Sequence, residues 1–431
     1  MSETIASPQA DVAQRAHRPG RLAWLVWIVG ALCYFVAMFH RASLGVAAPQ
    51  ALERFSAGPA LLASFSALQL GVYLALQVPS GLMADRLGPR KVITGGMVAL
   101  AVGSAVFAVS GSVIGGFAGR LLIGVGDAFM FTNVLRLAAY WFPPAKYGKV
   151  AALTGLAGGL GQVISTLPLG LSLEGLGWVP TFLGAALITG AGAVVAAVVI
   201  RDRPQESVVE PQAASVPGEK IGHALRAVVA ERGTKHSFWV HFVLMAQFVA
   251  ITTLWGAPWL TQAQGRSETQ AGSLLMFSVI AFIVSTLLVG QFVAGRRLRR
   301  ERFSLWLSVS VAVAWALLVL WPGVLPNAVL VVALLVIGVG GGAAMLAFDG
   351  AREANAAHRS GAASGVVNMG GFTAAVLIQL SVGSVLQMLS SLPDLVAYRW
   401  AFVPVLVLVV VGTLAQAWYR QRRALVRPEV G

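Results

Sequence analysis

Apolar residues run along this chain in long blocks instead of alternating with polar ones, and the blocks are about as long as a bilayer is thick. Twelve stand out, near 22–49, 59–85, 91–110, 114–142, 148–171, 178–200, 237–261, 269–294, 303–321, 328–350, 361–388 and 397–419. A helix needs about 20 residues to cross the hydrocarbon layer. Lipid offers no partner to backbone N–H and C=O groups, so runs of this length predict helices; a membrane barrel would show short alternating segments instead. The pattern predicts an all-α membrane protein with twelve transmembrane helices. The polar gaps divide it into a tail (1–21), six helices (22–200), a linker (201–236), six more helices (237–423) and a second tail (424–431). The linker begins with Arg201-Asp202-Arg203-Pro204 and continues rich in Gln, Ser, Pro and Glu. It reads either as a disordered loop or as carrying a short amphipathic helix near 219–231 on the membrane surface.

Composition sharpens this. Hydrophobic residues make up 57% of the 431 positions and charged residues 11%, well below the roughly 25% charged of a soluble domain. The formal charge of +14 raises the possibility of nucleic acid binding, but its placement argues against it. On an alternation starting inside, 25 of the 31 Lys and Arg residues fall in inner segments, and only Arg54, Arg266 and Arg399 fall in outer ones. That asymmetry predicts cytoplasmic termini, contact with anionic lipids and no nucleic acid partner. The first run follows a polar tail, is longer than a signal-peptide core and lacks a small-residue cleavage site, so it reads as a membrane helix. One cysteine, Cys33, allows no intrachain disulfide and reads as an apolar packer.

Between the second and third runs lies Gly81-Leu82-Met83-Ala84-Asp85-Arg86-Leu87-Gly88-Pro89-Arg90-Lys91. The pattern G-x-x-x-D-R-x-G-x-[RK]-[RK] resembles the signature loop of the major facilitator superfamily of secondary transporters. Gly88 suits a tight reversal and Pro89 the first turn of a helix; Arg90 and Lys91 are expected to face lipid phosphates. The resemblance implies that Asp85 caps a cytoplasmic helix end in the other half, here near Arg359 and Gly361, and that losing this contact favours the inward-open state. The alternative is that Arg86 and its neighbours only fix topology. Internal echoes fit a duplicated fold. Gly124-Val125-Gly126 recurs as Gly338-Val339-Gly340, Gly155 is matched by Gly365, and the loop returns as Gly290–Arg297 with Ala294 where Asp85 stood.

Charged residues inside apolar runs are functional candidates. Gly119–Ala128 resembles a second motif of the family, R-x-x-x-G-x-[GA]-x-[AS]. Its Arg120 and Asp127 stand seven residues apart, about 10 Å along one helix face, too far for a direct bond. Tyr34–Pro49, with Arg41 at its centre, looks like the first helix of anion:cation symporters and organophosphate:phosphate antiporters. There an Arg binds anionic substrate, as a guanidinium can by bidentate hydrogen bonds. His40 departs from the residue usual before that Arg, and helix 7 lacks the second Arg of the antiporters. By length alone, Arg41 lies about 29 Å along helix 1, near the outer surface; a tilt would bring it deeper, and an interfacial snorkelling Arg is the alternative.

Helix 2 carries a polar stripe, Ser66, Gln69, Tyr73, Gln77 and Ser80, expected partly to glue helix 2 to Asn368 of helix 11 and partly to line a cavity. Tyr34, Gln162, Gln247 and Trp255 complete the substrate-binding candidates. Trp255–Leu260 resembles the end of helix 7 in anion:cation symporters. Asp349, Arg352 and Glu353, with Arg136, read as an inner gate or interface.

The expectation is a monomeric, multi-pass transporter of a bacterial inner membrane, without cofactor or metal. It would move a small organic anion by symport with protons and alternating access, with Arg41 as substrate clamp and Asp127, with Arg120, as proton carrier. The rival is proton-driven efflux of drugs or metabolites, whose helix 5 motif G-x-x-x-G-P is broken here at Gly155–Gly161 by the lack of Pro. A non-transporting sensor of the same fold ranks lower. Enzyme motifs such as H-E-x-x-H or G-x-S-x-G are absent from the sequence.

Overall fold

The computed structural model describes residues 20–203, 221–293, 297–356 and 359–424. The side chain of Asp85, residues 294–296 of the degenerate loop and most of the linker (204–220) lie outside them. Among the described residues there are twelve membrane-length helices and no strand. We number them α1 (Arg21–Val46), α2 (Pro59–Leu87), α3 (Pro89–Val109), α4 (Val113–Trp141), α5 (Lys149–Leu176), α6 (Trp178–Val199), α7 (Arg232–Ala263), α8 (Glu268–Val293), α9 (Arg297–Leu320), α10 (Asn327–Ala354), α11 (Ser360–Met388) and α12 (Asp394–Gln421). Their outward faces are apolar: Leu187, Ile188, Val194 and Val198 on α6, and Trp306, Val313 and Leu320 on α9, are all exposed. Such a surface has no place in water and matches a hydrocarbon solvent.

The packing repeats. In the first six helices α2 packs on α4, α3 on α4 and on α6; in the second six α8 packs on α10, α9 on α10 and on α12. Every pair recurs six helices later. Between the halves, α2 meets α11, α5 meets α8 and α1 meets α7, which is the pairing a twofold axis between two six-helix bundles produces. The first glycine echo has a steric meaning in this frame. A Cβ on Gly124 would strike the Gln69 carbonyl of α2, and one on Gly338 the Ser278 carbonyl of α8; Gly126 is pressed on Gly96 of α3, and Gly340 on Val311 of α9. Both α4 and α10 break just beyond, at Phe129–Met130 and Ala344–Met345. The second echo does not carry into packing: Gly155 lies against Thr286 of α8, whereas Gly365 borders open space.

An even number of crossings brings Arg21, at the start of α1, and Gln421, at the end of α12, to one side. On that side the linker helix near 219–231 is realised as Ile221–Ala230, with Val228 buried, packed on α7 and α11. The helix 1 boundary moves: after a turn at Ala47 the chain continues as helix Ala48–Arg54. Helix α7 is nearly enclosed and irregular. It is α-helical to Ala250, then π-helical over Ile251–Trp255 and again over Trp259–Ala263, around Gly256–Pro258. Pro258 withholds one backbone donor from this stretch.

Candidate functional site

Arg41 is not near a surface. The continuation through Arg54 puts it towards the middle of the helical segment, and it is 5% exposed. Its partner is Asp127, fully buried on α4. Arg41 Nε donates to Asp127 Oδ2 at 2.7 Å and Nη2 donates to Oδ1 at 2.8 Å. The two residues singled out separately as clamp and proton carrier thus form one fork-on-fork pair, the geometry in which guanidinium and carboxylate bind most strongly. The third nitrogen, Nη1, has no hydrogen-bond partner among the described residues.

The flat face of Arg41 is stacked. Its guanidinium carbon lies 4.4 Å from the Tyr73 ring centroid and 5.2 Å from that of Phe372. The two rings meet at 4.6 Å and 49°. Phe372, on α11, was not among the sequence candidates; a single aromatic in an apolar run gives no signal until its neighbours are known. Asn368, one turn away, donates weakly to the Tyr73 hydroxyl at 3.4 Å. Tyr34, two turns from Arg41 on α1, is within electrostatic reach of it and packs on Phe131 at 5.2 Å.

Arg120 occupies a separate, sealed position. It is fully buried, donates from Nη1 to Gln69 Oε1 at 3.0 Å and lies 4.1 Å over the Phe107 ring; its Nε and Nη2 have no hydrogen-bond partner among the described residues. It does not bond Asp127, as the spacing indicated. His40 lies against Thr189 of α6 at 2.8 Å. Because Thr189 gives its own hydroxyl proton to the Ala185 carbonyl, His40 Nε2 is the donor of that pair.

The α2 stripe divides differently from expectation. Gln69 serves Arg120, Ser80 accepts from Asn133 of α4 at 3.0 Å, and Gln77 bonds its own helix; only Tyr73 reaches α11. Two of the five, Gln69 and Ser80, therefore brace α4 within the first bundle. Gln162 is buried on α5 with its Oε1 unpartnered. Gln247 is spent inside the second bundle, donating to the Leu244 carbonyl and accepting from Trp315 Nε1. Trp255 donates to the Gln379 carbonyl of α11 at 3.3 Å. Neither Gln247 nor Trp255 is brought to Arg41 by a bond.

At the end of the bundle away from the termini, the halves are closed. A Cβ on Gly45 of α1 would lie 2.7 Å from the Thr253 carbonyl of α7, Gln387 of α11 covers Gly58, and a Cβ on Gly383 of α11 would lie 2.8 Å from the Pro59 carbonyl of α2. At the termini end, Arg90 corrects the expectation that it faces lipid phosphates. Its Nε and Nη2 donate to the Ala197 carbonyl at the end of α6, and its backbone N–H donates to Asp202 Oδ1 at 2.7 Å. Asp202 thereby caps α3, a role readable in hindsight from an acid placed just after helix 6. Gly88 is needed twice over: its φ is +82°, and a Cβ there would strike the Asp202 carboxylate. Arg86 and Lys91 are exposed. Arg136 donates to the Gly81 carbonyl at 3.1 Å. Glu353 is gripped by Arg300 of α9, at 2.7 and 2.5 Å, so this acid braces the second bundle. Arg352 lies within electrostatic reach of Tyr147, just before α5 in the other half, and Asp349 is exposed beside Arg300 and Arg352.

Comparison with known proteins agrees with this architecture. A protein described as "Probable sulfoacetate transporter SauU" of Cupriavidus necator is 25% identical over 61% of this chain and 63% of its own length. A "Hexuronate transporter" of Bacillus subtilis is 25% identical over 42% of this chain and 44% of its own. The matches thus span less than two thirds of these relatives. A solved bacterial homologue of the human lysosomal transporter Spinster, inward-facing and unoccupied, superposes with a TM-score of 0.73 at 14% identity, covering 95% of this chain and 99% of that one; this likeness concerns the fold. Residues 30–380 match the family profile described as Major Facilitator Superfamily, and with twelve apolar helices in two twofold-related bundles this multi-pass membrane protein belongs to that superfamily.

Proposed function

We propose that the protein is a secondary active transporter of a small organic anion, driven by protons and working by alternating access, in a bacterial inner membrane with both termini in the cytoplasm. The observation that carries this reading is the buried Arg41–Asp127 pair at the contact between the bundles. The pair is neutral as it stands. An anion that takes Arg41 must displace the carboxylate, and an unpaired buried carboxylate is costly. Asp127 avoids that cost by accepting a proton, so one anion and one proton enter together. The two halves then rock about this centre. The relatives named as sulfoacetate and hexuronate transporters support the anionic class.

The gates follow from the same reading. The Gly45–Thr253 and Gly383–Pro59 approaches close one face. Asp85 in the signature loop latches the other by capping α11, and Arg352 near Tyr147 assists there. A thermal-shift screen of small anions on the purified protein, repeated with Arg41→Ala, tests the reading. An anion that stabilises the native protein and not the variant supports it. Equal stabilisation of both removes Arg41 from the site, and a preference for greasy cations favours efflux.

A further inference from the structure

We infer that the transported anion carries a single negative charge on a flat aromatic body. This rests on the organic-anion reading above and narrows its substrate class. The first ground is the count of available cations. Among the described residues, Arg41 is the guanidinium that lies against the ring contact joining the bundles, and its Nη1 is left unbonded. Arg120 does not add a second in this conformation: its Nε and Nη2 are unbonded, but the side chain is 0% exposed, held through Nη1 by Gln69 and covered by Phe107. The described Lys and Arg residues of the second bundle stand at helix ends, at Arg232, Lys235, Arg266, 297–302, Arg352, Arg359, Arg399 and Arg420. A second anionic group on the substrate would be buried without a partner, which the interior resists strongly.

The second ground is what surrounds Arg41. Among the described ring contacts, Tyr73–Phe372 is the one that joins the two bundles. When the bundles rock apart this contact opens directly over the guanidinium, and each ring is left with a bare face. A planar aromatic ligand restores both stacking contacts while its acidic group takes Arg41 in place of the Asp127 carboxylate.

The test is binding by the purified full chain to five probes: benzoate, terephthalate, cyclohexanecarboxylate, tartrate and a hexuronate. Benzoate against terephthalate isolates the charge, and benzoate against cyclohexanecarboxylate isolates the ring. Benzoate is expected to bind at least about tenfold more tightly than terephthalate or tartrate, given the cost of an unpaired buried charge. It should bind about threefold more tightly than cyclohexanecarboxylate from stacking alone. Phe372→Leu should erase the ring preference while Arg41→Ala abolishes binding of both. If terephthalate, tartrate or the hexuronate binds as tightly as benzoate, or the ring preference is absent, the inference is overturned, while loss of that binding in Arg41→Ala keeps the organic-anion reading. If none of the five binds, the inference falls, and the wider anion screen decides the broader reading separately.

Discussion

Breaking the Arg41–Asp127 pair should separate its role in stability from its role in coupling. Both side chains are almost fully buried, at 4% and 0% exposure, and share two hydrogen bonds. Charges about 4 Å apart attract by about 4 kcal/mol at an effective dielectric of 20. Removing one partner of such a pair costs about 3–5 kcal/mol, because the other is left buried and unpaired. Arg41→Leu and Asp127→Leu should each lower the melting temperature by several degrees, since a chain this long moves by roughly 2 °C per kcal/mol or less. The double variant should recover most of the loss, giving a coupling energy of about 3 kcal/mol or more. Apparent melting at a fixed scan rate measures this. Transport supplies the second readout. Asp127→Asn keeps the shape and removes the titratable group, so in proteoliposomes it should abolish uphill uptake driven by a pH gradient while sparing anion exchange. Strictly additive stability losses, or uphill uptake by Asp127→Asn at the native rate, would refute the reasoning.

Other outcomes follow from contacts described above. Gly45→Val puts a side chain against the Thr253 carbonyl and should cut transport by at least about tenfold through failure to close the far gate, the equivalent of 1.4 kcal/mol; native transport rates would show that α1 and α7 need not approach so closely. Asp202→Ala should cost about 1 kcal/mol by uncapping α3, seen as a lower melting temperature. Gly88→Ala should remain destabilised even in the Asp202→Ala background, because the positive φ persists when the clash is gone. Glu353→Gln should change stability by about 1 kcal/mol or less, since the carboxylate is 49% exposed to solvent screening.

The architecture was legible because lipid leaves a chain few options. Run length alone predicted the twelve helices, and the Gly-Val-Gly echo predicted a duplicated fold, in which both copies turn out to make close helix approaches. The signature loop pointed to the superfamily without showing its own surroundings. Ala197, whose carbonyl holds the Arg90 guanidinium away from lipid, is 107 residues from it in sequence. The central site shows the same limit. Arg41 and Asp127 were each conspicuous as charges in apolar runs, but no periodicity links positions 86 residues apart on different helices. Gln247, Gln69 and Ser80 show the opposite limit: a buried polar residue can find its bond inside one bundle as readily as between two. Phe372 gave no warning, because an aromatic residue draws its function from what it touches.

The wide turns of α7 leave that helix with surplus backbone. Each carries more chain than an α-turn of equal rise, and they flank the point where α1 presses on Thr253. Deleting one residue between Ile251 and Trp255 would return the local winding to ordinary pitch, because the five residues of this wide turn sweep about the same angle as four of an α-helix. Trp259 and Leu260, now turned inward, would keep their phase. The same deletion in the regular stretch before Ala250 would swing everything beyond it by about 100°, so α7 should tolerate the loss of a residue at its wide turn far better than ahead of it.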